Sequence, residues 1–114
     1  MTQGINKREL YELLVDTLMM ISPNLESATD DDIDGYLEEL EGDYYTFLDL
    51  NAITPLREAD LLTDQQVENI TQLKAFMNTI APSLWNISSF KKDVNWLNAR
   101  EQANDILKSL NIIT

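Results

Sequence analysis

The chain has 114 residues and a formal net charge of −12, from 20 acidic and eight basic side chains. That size suits one domain with a modest core. The charge argues against nucleic acid or an anionic membrane as a direct ligand and for a basic partner. The absence of Cys and His removes disulfides, thiol nucleophiles, the usual neutral-pH acid-base group and the commonest metal ligand.

The charge is concentrated. Up to Glu68 there are 17 acidic residues against Lys7, Arg8 and Arg57; beyond it there are three acidic against five basic. No leader or spanning segment is expected, because the longest apolar runs, such as Leu13 to Val15 and Leu18 to Ile21, are far too short. The expected placement is a cytoplasmic, reduced one.

The spacing predicts a first helix from about Asn6 to Ile21, with Leu10, Leu13, Leu14, Thr17, Leu18 and Ile21 on one face. Asn6 and Glu9 resemble a capping box, and Ser22-Pro23-Asn24 stops the helix.

Asp30 to Leu50 follows, with nine carboxylates and no Lys or Arg. Ile33, Tyr36, Leu37, Leu40, Tyr44, Phe47 and Leu48 recur at steps of three and four, so the stretch reads as a helix with one apolar face. Thr29 is its expected cap, and the aspartates after it suit the positive end of the helix dipole. The face turned away from the core is the expected partner surface. Its binding residues are Asp31, Asp34, Glu38, Glu41, Tyr45 and Asp49, with Tyr favoured because it is enriched at interface hot spots. Gly35 and Gly42 are costly inside a helix. They imply either a kink or break, or a flat strip where another backbone can approach.

Asn51 to Leu62 reads as a connector with a short helical turn starting at Thr54-Pro55. Thr63 and Gln66 form a capping box for the next helix, whose buried stripe is Val67, Ile70, Leu73, Met77 and Ile80, with Phe76 off it. Ala81-Pro82 breaks that helix. Leu84, Trp85, Ile87 and Phe90 form an apolar corner read as core. A last helix is expected from about Lys91 to Leu110, with Trp96, Ala99, Ala103, Ile106, Leu107 and Leu110 inward and Asn111 as its stop. Arg100, one turn after Trp96, is expected to stack on the indole and pair with a carboxylate. The chain 1–114 is thus expected to be a single all-α domain of four or five helices, its core including Leu14, Leu18, Leu40, Phe47, Leu73, Met77, Trp96 and Leu107.

Asp30, Asp32, Asp34, Gly35, Leu37 and Glu41 occupy the positions of a calcium-binding EF-hand loop. Pro23 shortens the entering helix, no second loop is present, and the helical stripe explains the same residues, so no metal site is expected. Nor is catalysis: the sequence holds no phosphate-binding loop, nucleophile elbow or zinc-ligand set. A solvent-facing row of like charges is not a carboxyl tuned for general acid work. No cofactor is implied.

The C-terminal half, with Trp85, Trp96 and the run WLNAREQANDIL, resembles small helical immunity proteins of bacterial polymorphic toxin systems, including contact-dependent growth inhibition. ATDDDIDGYLEEL, from Ala28 to Leu40, resembles the acidic second helix of colicin nuclease immunity proteins; the Tyr-Tyr-Pro segment that follows there is replaced by Tyr44-Tyr45-Thr46. The resemblance implies a monomer that binds a basic nuclease toxin one to one and blocks its active site or substrate entry. The runner-up expectation is a phage-type nucleic-acid mimic, such as an anti-CRISPR protein. A third is a calcium-binding module.

Overall fold

Each α-helix begins on a side-chain cap that its own sequence supplies. In the structure, a computed structural model that describes residues 6–113, Asn6 Oδ1 accepts the Glu9 amide at 2.8 Å and opens α1, Lys7–Ile21. Asn6 Nδ2 in turn donates to Glu9 Oε1 at 2.9 Å. Thr29 and Asp32 form a reciprocal capping box for α2, Asp30–Phe47. Thr63 and Gln66 do the same for α4, Asp64–Met77. Such caps satisfy amides that the first turn leaves without partners, each worth about 1 kcal/mol.

Two helices depart from the sequence expectation. α3, Leu50–Glu58, begins before the Thr54-Pro55 turn and holds Pro55 inside it. The Asp49 side chain accepts the Asn51 amide at 2.9 Å, and its carbonyl takes the amides of Ala52 and Ile53. This nucleus buries Ile53 and Leu56 completely, which offsets the helix bond that proline cannot make. The expected last helix is divided: α5, Ile87–Lys92, and α6, Val94–Ser109, meet at Asp93. Asp93 is extended, ends α5 and caps α6 through the Asn95 amide at 2.8 Å. Lys91 and Lys92 therefore belong to α5. With a single 3-10 turn at Pro82–Leu84, the described residues hold six α-helices and no strand. The all-α class stands, with one or two more helices than expected.

Two helices end on left-handed residues, Asp60 and Asn111, each at φ 62°. After Asn111 the Ile112 amide returns to the Leu107 carbonyl at 3.0 Å; after Asp60 the Leu61 amide returns to Leu56 at 2.9 Å. Both closures satisfy carbonyls that would otherwise lack partners.

The helices share one core. α1 packs on α2 and α6, and α6 also packs on α4 and α5. Leu14, Leu18, Leu40, Leu73, Met77, Trp96 and Leu107 are buried as expected. Phe47 is only half-buried: α2 ends there, and Leu48, at the turn into α3, takes the core position. Trp96 is fully enclosed, with its indole N–H donating to the Leu84 carbonyl at 2.8 Å. Edge contacts with Trp85 and tilted contacts with Phe90, both at 4.9 Å, fix its plane. No helix among the described residues is long and apolar enough to cross a membrane.

Candidate functional site: the acidic flank of α2

α2 runs unbroken through Gly35 and Gly42. Neither glycine has a positive φ, and a Cβ at either would meet nothing within 4 Å. The break is not present, and both glycines leave bare backbone on the exposed side of the helix.

The nine carboxylates of this stretch fall into two groups. Asp30 pairs with Lys91 Nζ at 2.6 Å, Asp32 completes the Thr29 capping box, and Asp49 pairs with Lys74 Nζ at 2.8 Å. The remaining six have no ion-pair partner among the described residues. Asp31, Asp34, Glu38 and Glu41 form a row along the exposed surface of α2. From Asp31 to Glu41 the row spans about 15 Å at the helical rise.

The row borders a shallow depression of about 370 Å³, lined by Asp34, Glu38 and Glu41 on α2 and by Trp85, Asn86 and Ile87 opposite. Trp85 and Ile87 are half-buried. Tyr44 braces Trp85 with rings 5.7 Å apart, and its hydroxyl donates to Asn78 Oδ1 at 2.9 Å. Burial pushes the Tyr44 phenol up, so it stays a neutral donor at neutral pH. The surface combines free negative charge with a fixed aromatic edge. It can bind cations and apolar side chains.

Of the six residues expected at the partner surface, the structure gathers four, Asp31, Asp34, Glu38 and Glu41. Tyr45 is 60% exposed, but Lys74 Nζ lies 4.3 Å from its ring centre. Asp49 lies beyond the end of α2 as the cap of α3. The Lys74 ion pair and the Asn51 amide hold its carboxyl below the usual carboxylate range. Lys74 therefore neutralises the Tyr45–Asp49 end from within. Trp85 and Ile87, expected as core, pack half-buried against it; that they also line the depression follows from a contact between α2 and α5 that spacing alone does not give.

The calcium-loop match lies inside α2, where Asp30, Asp32 and Asp34 serve an ion pair, a cap and the open surface respectively. Among the described residues no group of three potential ligands converges on a metal position.

Arg100 also differs from expectation. Its guanidinium lies over Phe90, 4.8 Å from the ring centre, not over Trp96. Among the described residues it pairs with no carboxylate; Nη2 donates to the Phe90 carbonyl at 2.5 Å, while Nε and Nη1 are buried without acceptors there. Asp93 ends α5 just past Phe90, which leaves that carbonyl without a helical partner, and Arg100 supplies one. Burial lowers the affinity of the guanidinium for its proton.

No protein-family model, curated protein or solved structure matches this chain.

Proposed function

We propose that this protein is a toxin-neutralising immunity protein that binds a basic nuclease domain through α2 and blocks its active site or substrate entry. One observation carries the reading: Asp31, Asp34, Glu38 and Glu41 stand exposed on a continuous helix with no ion-pair partner among the described residues, while Lys91 and Lys74 pair with Asp30 and Asp49. A nuclease cleft that receives phosphates is basic, and a preformed acidic helix offers it a complementary field without a folding cost. Trp85 and Ile87 beside the row supply the apolar contact that an interface core requires. The likeness of Ala28 to Leu40 to the acidic helix of colicin nuclease immunity proteins points the same way.

The test is paired affinity capture from the source cell, with the natural chain and the Asp34→Lys/Glu38→Lys variant as baits. The captured partner is then assayed for nuclease activity with and without the natural chain. The expected outcome is a basic nuclease retained by the natural chain alone and inhibited by it at one-to-one stoichiometry. A partner without nuclease activity, or one retained equally by both baits, contradicts the reading. Capture of a nucleic-acid-guided nuclease complex would favour the nucleic-acid mimic instead.

A further inference from the structure

The opposite flank of α2 carries a second surface, which shares only Asp31 with the partner face read in the sequence. Between α1 and α2 runs a groove of about 630 Å³. That volume falls within the range of clefts that accept small ligands or several side chains. Leu13, Met19 and Met20 from α1 and Tyr36 from α2 supply apolar lining, and Met19 is 46% exposed. A smaller depression continues along Met20 and Tyr36 to Pro23 and Ala28, so the apolar floor is extended. Gly35 borders the groove, with open space where a side chain would stand.

Asp16 on one side and Asp31, Asp32, Glu39 and Asp43 on the other line the same groove. None of these five is ion-paired among the described residues, and no Lys or Arg lines the groove. Burial, and then the charge of Glu39, push the Asp43 carboxyl up, so an arriving cation would relieve a carboxylate that the fold disfavours.

We propose that this groove docks a basic amphipathic helix of a partner protein, with its apolar side chains on Met19, Met20 and Tyr36 and its flanking Lys and Arg residues on the acidic rims. Charge complementarity selects the occupant. Nucleic acids and anionic membranes meet like charge, a second copy brings another −12, and a neutral peptide leaves the rims unpaired. Two adjacent methionines give a floor that adapts to differently shaped apolar side chains. A helix lying in a groove is an established mode of peptide recognition. The inference stands apart from the nuclease reading, because it names the chemistry of a segment and not the activity of its owner.

The test uses the full chain with ¹³C-labelled methionine methyls and three synthetic peptides: Lys and Leu at helical spacing, Lys with Ser in place of Leu, and Leu with Ser in place of Lys. The Lys-Leu peptide is expected to shift the Met19 and Met20 signals in a saturable titration and to leave buried Met77 in place. Its affinity should fall about tenfold or more in Gly35→Leu, which fills the groove from outside the core, and likewise in Met19→Gln; that is the scale of one lost apolar anchor. Circular dichroism of both variants checks that helicity is retained. Equal binding by the Lys-Ser peptide would reduce the effect to unspecific charge and overturn the proposal. So would saturation unaffected by both variants, no methyl shift at all, or sedimentation showing that copies of this chain fill the groove themselves.

Discussion

At the residue scale, buried and half-buried charges divide by whether a partner was available. Arg100 found none of the carboxylates its sequence position suggested. Its attachment is to a backbone carbonyl and an aromatic face. Arg100→Ala should therefore cost about 2 kcal/mol, through lost packing on Phe90 and an orphaned carbonyl. Urea denaturation should give the same loss at low and high salt, because no ion pair is removed; a loss that shrinks strongly with salt would contradict this. Asp43 and Asp49 should respond to pH with opposite signs. The folded-state pKa of Asp43 is raised from 3.8, so its favourable contribution is complete below that value and is lost as pH rises through the folded pKa. The pKa of Asp49 is lowered from 3.8, so its contribution is present above that value and disappears as pH falls through the folded pKa. Asp43→Asn should stabilise the protein at neutral pH, and Asp49→Asn should destabilise it. Asn still caps α3, so the second variant isolates the Lys74 pair. Thermal midpoints at neutral and acid pH read both effects, and each should fade in acid.

At the element scale, what was legible in the sequence was whatever depends on neighbours along the chain. Thr29, Thr63 and Asn6 mark helix starts because a cap and its amide lie three residues apart. The buried residues of α4, Ile70, Leu73 and Met77, follow from period alone, whereas Val67 is half-buried and Ile80 lies past the helix end. What was not legible depended on competition or on distant neighbours. Pro55 signalled a helix start, but the Asp49 cap and the burial of Ile53 and Leu56 placed the start earlier. Asp93 falls inside the expected Lys91–Leu110 helix, whereas it divides α5 from α6. The pairing of Lys74 with Asp49 joins residues 25 positions apart and removes one end of the expected acidic surface. Gly42 suggested a break, yet α2 continues through it with room for a side chain. Gly42→Ala should thus raise stability by about 0.5–1 kcal/mol, the difference in helix propensity. Chemical denaturation measures it; a destabilised variant would mean that the backbone at this position is not helical.

At the scale of the whole molecule, a chain of net charge −12 places two of its eight cations, Lys74 and Lys91, at seams between helices beside α2. Lys91 ties α5 to the start of α2, and Lys74 ties α4 to the start of α3. The exposed length of α2 is left as an uncompensated field. A field of this kind acts chiefly on encounter, raising association rates well above the roughly 10⁵–10⁶ M⁻¹s⁻¹ of neutral pairs and losing that gain as salt screens it. The most direct measurement is stopped-flow association of the natural chain and of Asp34→Lys/Glu38→Lys with the captured partner, at low and high salt. The expected result is fast, salt-sensitive association of the natural chain and slow, nearly salt-independent association of a variant with unchanged helicity. Equal rates for both chains at low salt would show that the partner does not read the acidic row of α2.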